Sequence, residues 1–295
     1  MQKNKTINFV INILNKLEKY IYENLLKIDK KISNKLQYQK IKASTKYNMD
    51  TEFNENFYAD QYMIQMKNYL PEPKNVKNII DIGCGQGRLI FKLAEIYVNA
   101  NITGIDISEN AINYAAEISK MNKQINYING NYADVLDDIN KKIDIAVFTE
   151  VSFYDPSWKK NIIKIISKLS SNGLFVGSFR STYFNTLMQI SNGNFIDAER
   201  IVNTNSGSLT LGDSIDFTWD NSEDLKIFFE VLGLRVVSTT GIGVCSGIPG
   251  DPLSKVAIPK DLSLNNLQIL QRIENKLSSV VPDAGRYILI IAKNK

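Results

Sequence analysis

Ile79-Ile80-Asp81-Ile82-Gly83-Cys84-Gly85-Gln86-Gly87-Arg88 is an apolar run that breaks into three alternating glycines and then into a helical pattern. It reads as a buried strand running into a glycine loop and a helix, with the glycines allowing a tight turn and a close approach of backbone to ligand. Outward from it, short β-branched runs predict strands at 78–82, 102–106, 125–128, 143–149 and 174–179. Helical periodicity between them predicts helices at 88–97, 109–121 and 158–169, with Ser108 and Glu109 forming a good helix start. Alternation of this kind implies an α/β fold, a doubly wound parallel sheet covered by helices on both faces, with its ligand at the carboxyl ends of the strands. Beyond the fifth strand the pattern predicts helices at 195–202 and 222–232, Gly233 as a helix cap, and two last strands at 234–239 and 286–292. The long connection at 240–285 carries a turn-rich loop and a helix over 265–277.

The 295 residues allow one large domain with an appendage, and 44% apolar with 22% charged residues is an ordinary globular composition. There is no histidine, which removes Ser-His-Asp and Cys-His nucleophile systems, His-ligated zinc and any imidazole base. Two cysteines, Cys84 and Cys245, make neither a disulfide framework nor a metal site, and with no signal peptide a reducing cytoplasm is expected. Charge is split. Residues 1–50 hold eleven Lys against four acids, 11 − 4 = +7, which leaves 4 − 7 = −3 for the rest. That body lacks the field of a nucleic-acid binder.

In the basic segment Ile7, Ile11, Leu14, Ile21, Leu25, Ile28 and Ile32 recur at spacings of four and three, apart from a break at Glu18, and predict a long helix. Its stripe fits the protein's own body, a sister subunit in a homodimer, or an anionic membrane surface, while Asn8, Asn12, Asn15 and Lys16 exclude a transmembrane span. A second helix over 55–70 ends at Pro71 and Pro73. The expected organisation is a helical extension or cap over 1–73 and a main domain over 74–295, with insertions at 183–219 and 240–285.

In a dinucleotide dehydrogenase the loop would read G-x-G-x-x-G before a pyrophosphate; here the third glycine comes one residue early, and Asp81 suits a cation or an ammonium group better. Strand followed by D-x-G-x-G-x-G resembles motif I of the class I S-adenosylmethionine-dependent methyltransferases, small-molecule type, over residues 76–234. The resemblance implies a Rossmann-like sheet of seven strands with the last antiparallel, and S-adenosylmethionine as cofactor with no metal. It also implies cofactor contacts at Asp81, Gly83, Cys84, Gly85 and Gly87, and at Asp106 with Ile107, where the acid takes the ribose hydroxyls. Asn131, Tyr132 and Ala133 resemble the adenine-edge segment, and Thr149 lies in the stretch that resembles motif IV.

A sulfonium methyl is already activated, so transfer needs a close in-line nucleophile in a water-poor site more than a dedicated base. For a hydroxyl acceptor Glu150 or Asp155 is the candidate base, and both are equally readable as exposed loop acids. Tyr154, Arg180 and Tyr183 follow strand ends where an acceptor pocket is expected, and Tyr58 and Tyr62 are expected to reach the pocket from the N-terminal side. Cys84 reads as a small loop residue, not a nucleophile. The favoured function is O- or N-methylation of a small acceptor, such as a glycan or natural-product precursor. The alternative is an RNA- or membrane-surface methyltransferase docked through the basic N-terminus, and an NAD-type dehydrogenase is disfavoured by the glycine spacing.

Overall fold

The computed structural model describes residues 53–211 and 213–295, so the expected helix over 7–32, with its homodimer or membrane role, lies outside the described residues. Seven strands form one sheet in the order β3-β2-β1-β4-β5-β9-β8. They are β1 (Asn78–Ile82), β2 (Asn101–Asp106), β3 (Ile125–Asn129), β4 (Ile143–Phe148), β5 (Leu169–Arg180), β8 (Leu234–Ile242) and β9 (Tyr287–Asn294). The first five pair in parallel, and β9 runs antiparallel to both neighbours, β5 and β8. This is the expected Rossmann-like sheet with its last strand reversed.

Alternate residues of each strand feed opposite faces, as the pleat requires. Ile79, Ile145, Val147, Leu289 and Ile291 enter one core with side chains of α1 (Phe53–Met66), α2 (Ile90–Ile96), α3 (Glu109–Ile118) and α9 (Leu264–Leu277). Ile80, Ala146, Phe148, Ile288 and Ile290 enter the other with α4 (Tyr132–Asp138), α5 (Trp158–Lys168) and α8 (Ser222–Val231). The near-continuous apolar reading of these strands follows from their burial on both sides.

Helix α1 is fixed from two directions. Phe57, Tyr58, Ala59, Tyr62 and Met66 are buried in the first core, and Gln61 hydrogen-bonds the buried Glu274 of α9. The segment after β5 forms α6 (Thr182–Ser191), α7 (Phe195–Val202) and a hairpin of β6 (Ser206–Leu211) with β7 (Asp213–Thr218), around a small core of Phe153, Ile201, Phe217 and Trp219. Ser108 caps α3 by accepting from the Ala111 N–H, and Gly233 stands just past α8 with φ +90°, as its placement predicted. Among the described residues no helix is long and apolar enough to cross a membrane.

Candidate functional site

The strand-to-helix turn after β1 uses three left-handed glycines for two different reasons. At Gly83 (φ +71°) an added Cβ would meet Val151 Cγ2 at 2.2 Å, and at Gly87 (φ +94°) it would meet the Phe91 ring at 2.4 Å. Those two glycines are demanded by the protein's own packing as well as by the turn. At Gly85 (φ +54°) a Cβ would meet nothing within 4 Å, so the middle of the loop faces open space. The Gly83 and Cys84 N–H groups both donate to the Ile105 carbonyl, at 2.7 and 3.1 Å, which ties the loop to the end of β2.

Asp106 at that strand end completes the tie. One carboxylate oxygen accepts from the Gly85 N–H at 2.9 Å and the other from the Ser108 N–H at 2.8 Å, with the Ile107 N–H adding a third bond. Burial pushes its carboxyl above the usual range, against these three donors. Asp81 is 2% exposed and its Oδ1 has no hydrogen-bond partner. Burial, offset by Arg88 and reinforced by Asp106, pushes its carboxyl up to about 7. The Cys84 thiol points into the core beside Gly104, and burial followed by the Asp81 and Asp106 charges raises it well above its ordinary value. That keeps it an un-ionised packing group.

At the end of β3, Asn131 accepts from the Ala133 N–H with its side chain and caps α4. Tyr132 and Ala133 are buried, and Thr149 is buried at the end of β4. Tyr132 donates to Asp155 Oδ2 at 2.5 Å. Asp155 also accepts from Asn161 and from the Ser157 N–H, so both its oxygens are engaged at the start of α5.

Glu150 takes φ +62°, uncommon outside glycine, and is held there by its neighbours. Its N–H donates to the Ser178 hydroxyl at 2.8 Å, and its carboxylate accepts from Arg88 at 2.7 Å and from the Tyr62 hydroxyl at 3.1 Å. The Tyr62 hydroxyl also lies 3.0 Å from that of Ser178, and the Arg88 guanidinium lies 5.6 Å from the Tyr62 ring centre. Burial alone would raise the Glu150 carboxyl; Arg88, Arg286 and the two donated hydrogen bonds overcome it and hold the group below its ordinary range. Helix α1 thus reaches the ligand end of the sheet through Tyr62. Tyr58, expected at the cofactor, is instead buried beyond β8, its hydroxyl 3.3 Å from that of Ser246 and its ring against Gly243.

On the far side of β4, Arg180 ends β5 and lies among Phe184, Phe153 and Tyr287. Tyr154 and Tyr183 are 44% and 52% exposed, Tyr154 edge-on to Phe153 and Phe217. Residue-by-residue reading passed over Arg286 and Tyr287, although Gly285-Arg286-Tyr287 enters the last strand, whose start must lie at the ligand end if that strand is antiparallel. A separate groove of ≈ 380 Å³ opens at the amino ends of β1 to β4, beside Asn78, Asn101, Asn126 and Lys141, and none of these expected site residues lines it.

Residues 73–216 match a family model described as a methyltransferase domain. Among curated proteins the chain is similar to a tRNA (guanine-N(7)-)-methyltransferase of Prochlorococcus marinus (strain AS9601), 29% identical over 33% of this chain and 53% of the relative. It is also similar to the (S)-tetrahydroprotoberberine N-methyltransferase of Eschscholzia californica, 32% identical over 33% of this chain and 27% of the relative. The chain thus spans about half, or less, of the length of these relatives. Among solved structures, a putative S-adenosylmethionine dependent methyltransferase from Listeria monocytogenes matches with a TM-score of 0.54 at 17% identity, covering 80% of this chain and 99% of that one. An S-adenosylmethionine dependent methyltransferase from Mesorhizobium loti matches with a TM-score of 0.51 at 16% identity, covering 78% and 95%.

Proposed function

Because residues 73–216 are a methyltransferase domain on the class I S-adenosylmethionine-dependent fold, we propose that the protein transfers a methyl group from S-adenosylmethionine to a small-molecule acceptor. The observation that carries this reading is the glycine loop. It leaves open space over Gly85, next to a buried Asp81 with an orphaned acceptor oxygen and to an Asp106 carboxylate with lone pairs to spare. A vicinal diol fits Asp106, and an ammonium group fits Asp81, since each supplies the donors those oxygens lack. Gly83, Cys84, Gly87, Ile107 and Thr149 shape the backbone and walls around them, and Asn131, Tyr132 and Ala133 form the edge at β3.

S-adenosylmethionine, when bound, supplies a methyl group already activated on a sulfonium. The chain's own residues have the task of orientation. Arg88, Tyr62 and Ser178 fix Glu150 and with it the end of β4, where the cofactor and acceptor halves meet. With its proton affinity lowered by two guanidinium groups, Glu150 is a weak base, and Asp155 is occupied by Tyr132, Asn161 and the Ser157 N–H. We therefore assign Glu150 to holding charge and geometry at the strand end. The favoured acceptor is then one that is nucleophilic at neutral pH without a strong base beside it. Arg180, Tyr154 and Tyr183 are placed on the acceptor side. That Arg180 is 7% exposed and Arg88 13% supports a small acceptor over a duplex, which would need an open face.

Calorimetric titration of the full chain tests the reading. S-adenosylhomocysteine should bind at one site per chain and NAD should not; binding of NAD with equal or greater affinity would overturn it.

A further inference from the structure

Arg180 closes β5 in a place where a structural arginine would be expected to find a carboxylate, and among the described residues it finds none. Its one hydrogen bond among the described residues runs from Nε to Asn185 Oδ1 at 3.1 Å. Its Nη1 is buried without a partner, and so is the Nδ2 of Asn185 itself. Three rings surround the guanidinium, with centres 4.6 Å (Phe184), 4.9 Å (Phe153) and 4.9 Å (Tyr287) away. Ring faces compensate part of the charge but offer no lone pairs to in-plane N–H groups. The other guanidinium at Tyr287, that of Arg286, faces Asp251 at 3.5 Å.

What is missing is therefore specific: one negative charge, and acceptor lone pairs for two buried donors joined through a single hydrogen bond. Leaving a buried guanidinium uncompensated is costly, and a planar carboxylate matches its fork geometry. A phosphate dianion would overshoot, bringing two negative charges to a single unpaired guanidinium. We propose that Arg180 and Asn185 anchor a carboxylate carried by the methyl acceptor, whose apolar part lies among Phe153, Phe184 and Tyr287. The assignment rests on the reading of the chain as a methyltransferase and specifies the acceptor class for its β5 side.

The test is thermal denaturation of the full chain, with and without S-adenosylhomocysteine, titrated with sodium benzoate or inorganic phosphate at matched ionic strength. Benzoate should raise the melting temperature of the wild type, and phosphate should do so far less. Arg180→Met replaces an unpaired buried charge by an apolar chain of similar length. It should melt at or above the wild-type temperature in plain buffer while its response to benzoate weakens about tenfold or more. Asn185→Asp supplies a carboxylate from within the chain and should also lose the benzoate response, which keeps the test decisive if Arg180→Met does not fold. A wild type indifferent to benzoate, a phosphate response exceeding the benzoate one, or a benzoate response retained in Asn185→Asp or a folded Arg180→Met would overturn the proposal. Failure of the methyltransferase reading looks different: no variant, nor the wild type, would respond to S-adenosylhomocysteine, whatever benzoate does.

Discussion

The proposed cofactor side of the site, over β1 and β2, and the proposed acceptor side, over β4, β5 and β9, are built by different routes. The first is made almost wholly of backbone: Gly83, Gly85, Gly87, Cys84 and Ile107 contribute peptide groups or an absence of side chain, and two carboxylates bind or await donors. These groups all fall between residues 81 and 108, with the edge at 131–133 following shortly after. The second is made of side chains gathered from α1, the glycine loop, the turn after β4, β5, α6 and β9: Tyr62, Arg88, Glu150, Ser178, Arg180, Asn185 and Tyr287. A ligand shared by many proteins can be held by a local motif that tolerates change elsewhere. An acceptor particular to one protein is met by a constellation that only the tertiary fold assembles.

The contrast can be broken most sharply at Glu150. Glu150→Gln removes the charge that faces the largely buried Arg88 guanidinium at 2.7 Å while keeping the side chain's shape. We expect a loss of roughly 2–3 kcal/mol in denaturant unfolding near neutral pH, at the lower end for a partly buried pair. The sign follows from the lowered carboxyl. A depressed folded-state value contributes stability above the unfolded value, about 4.3, and gives it up as the pH falls through the folded one, so wild type and variant should converge in acid. A variant of unchanged stability would show that the acceptor side is not organised around this pair.

A smaller effect sharpens the cofactor side. With Asp81 pushed up to about 7 by burial, an ammonium-bearing ligand must displace its proton at lower pH. The affinity for S-adenosylhomocysteine should fall by about tenfold per pH unit below about 7, equivalent to about 1.4 kcal/mol each, and level off above it. In Asp81→Asn the profile should be flat over that range. In the unliganded protein the same raised value stabilises the fold below the unfolded value of about 3.9, and that stability is lost as the pH rises through about 7. A wild-type binding profile as flat as that of the variant would remove Asp81 from the site.

The two sides were also unequally legible. Asp81, the three glycines and Asp106 are readable because their spacing dictates a strand, a turn and a second strand end. Glu150 and Arg180 were visible only as charged residues after strands, and nothing local says that Arg88 reaches the first and Asn185 the second. Arg286 and Tyr287 depend on β9 being antiparallel, which puts its first residue among the carboxyl ends of the others. Tyr58 and Tyr62 differ by one helical turn, and the apolar pattern of α1 does not say which faces β4 and which faces β8.

Within the fold, β5 begins five residues earlier than its apolar run suggests. Asn172 takes φ +62°, and at Gly173 an added Cβ would meet the Ser170 and Ile143 carbonyl oxygens at 2.9 and 3.0 Å, so residues that read as a loop are carried inside the strand. Helices α4 and α6 are not legible in the sequence because each is rich in Asp, Asn, Thr or Ser, which favour caps and turns.

The central claim is that the open space over Gly85 belongs to S-adenosylmethionine, and one comparison meets it directly: the dissociation constant of S-adenosylhomocysteine for the wild type and for Gly85→Val. A side chain there strains a left-handed residue, but its Cβ meets nothing within 4 Å, so the variant should remain folded at a cost of about 1–2 kcal/mol. Its affinity should fall by about a hundredfold or more, the equivalent of about 2.7 kcal/mol. A folded Gly85→Val protein that binds S-adenosylhomocysteine as tightly as the wild type would contradict the account.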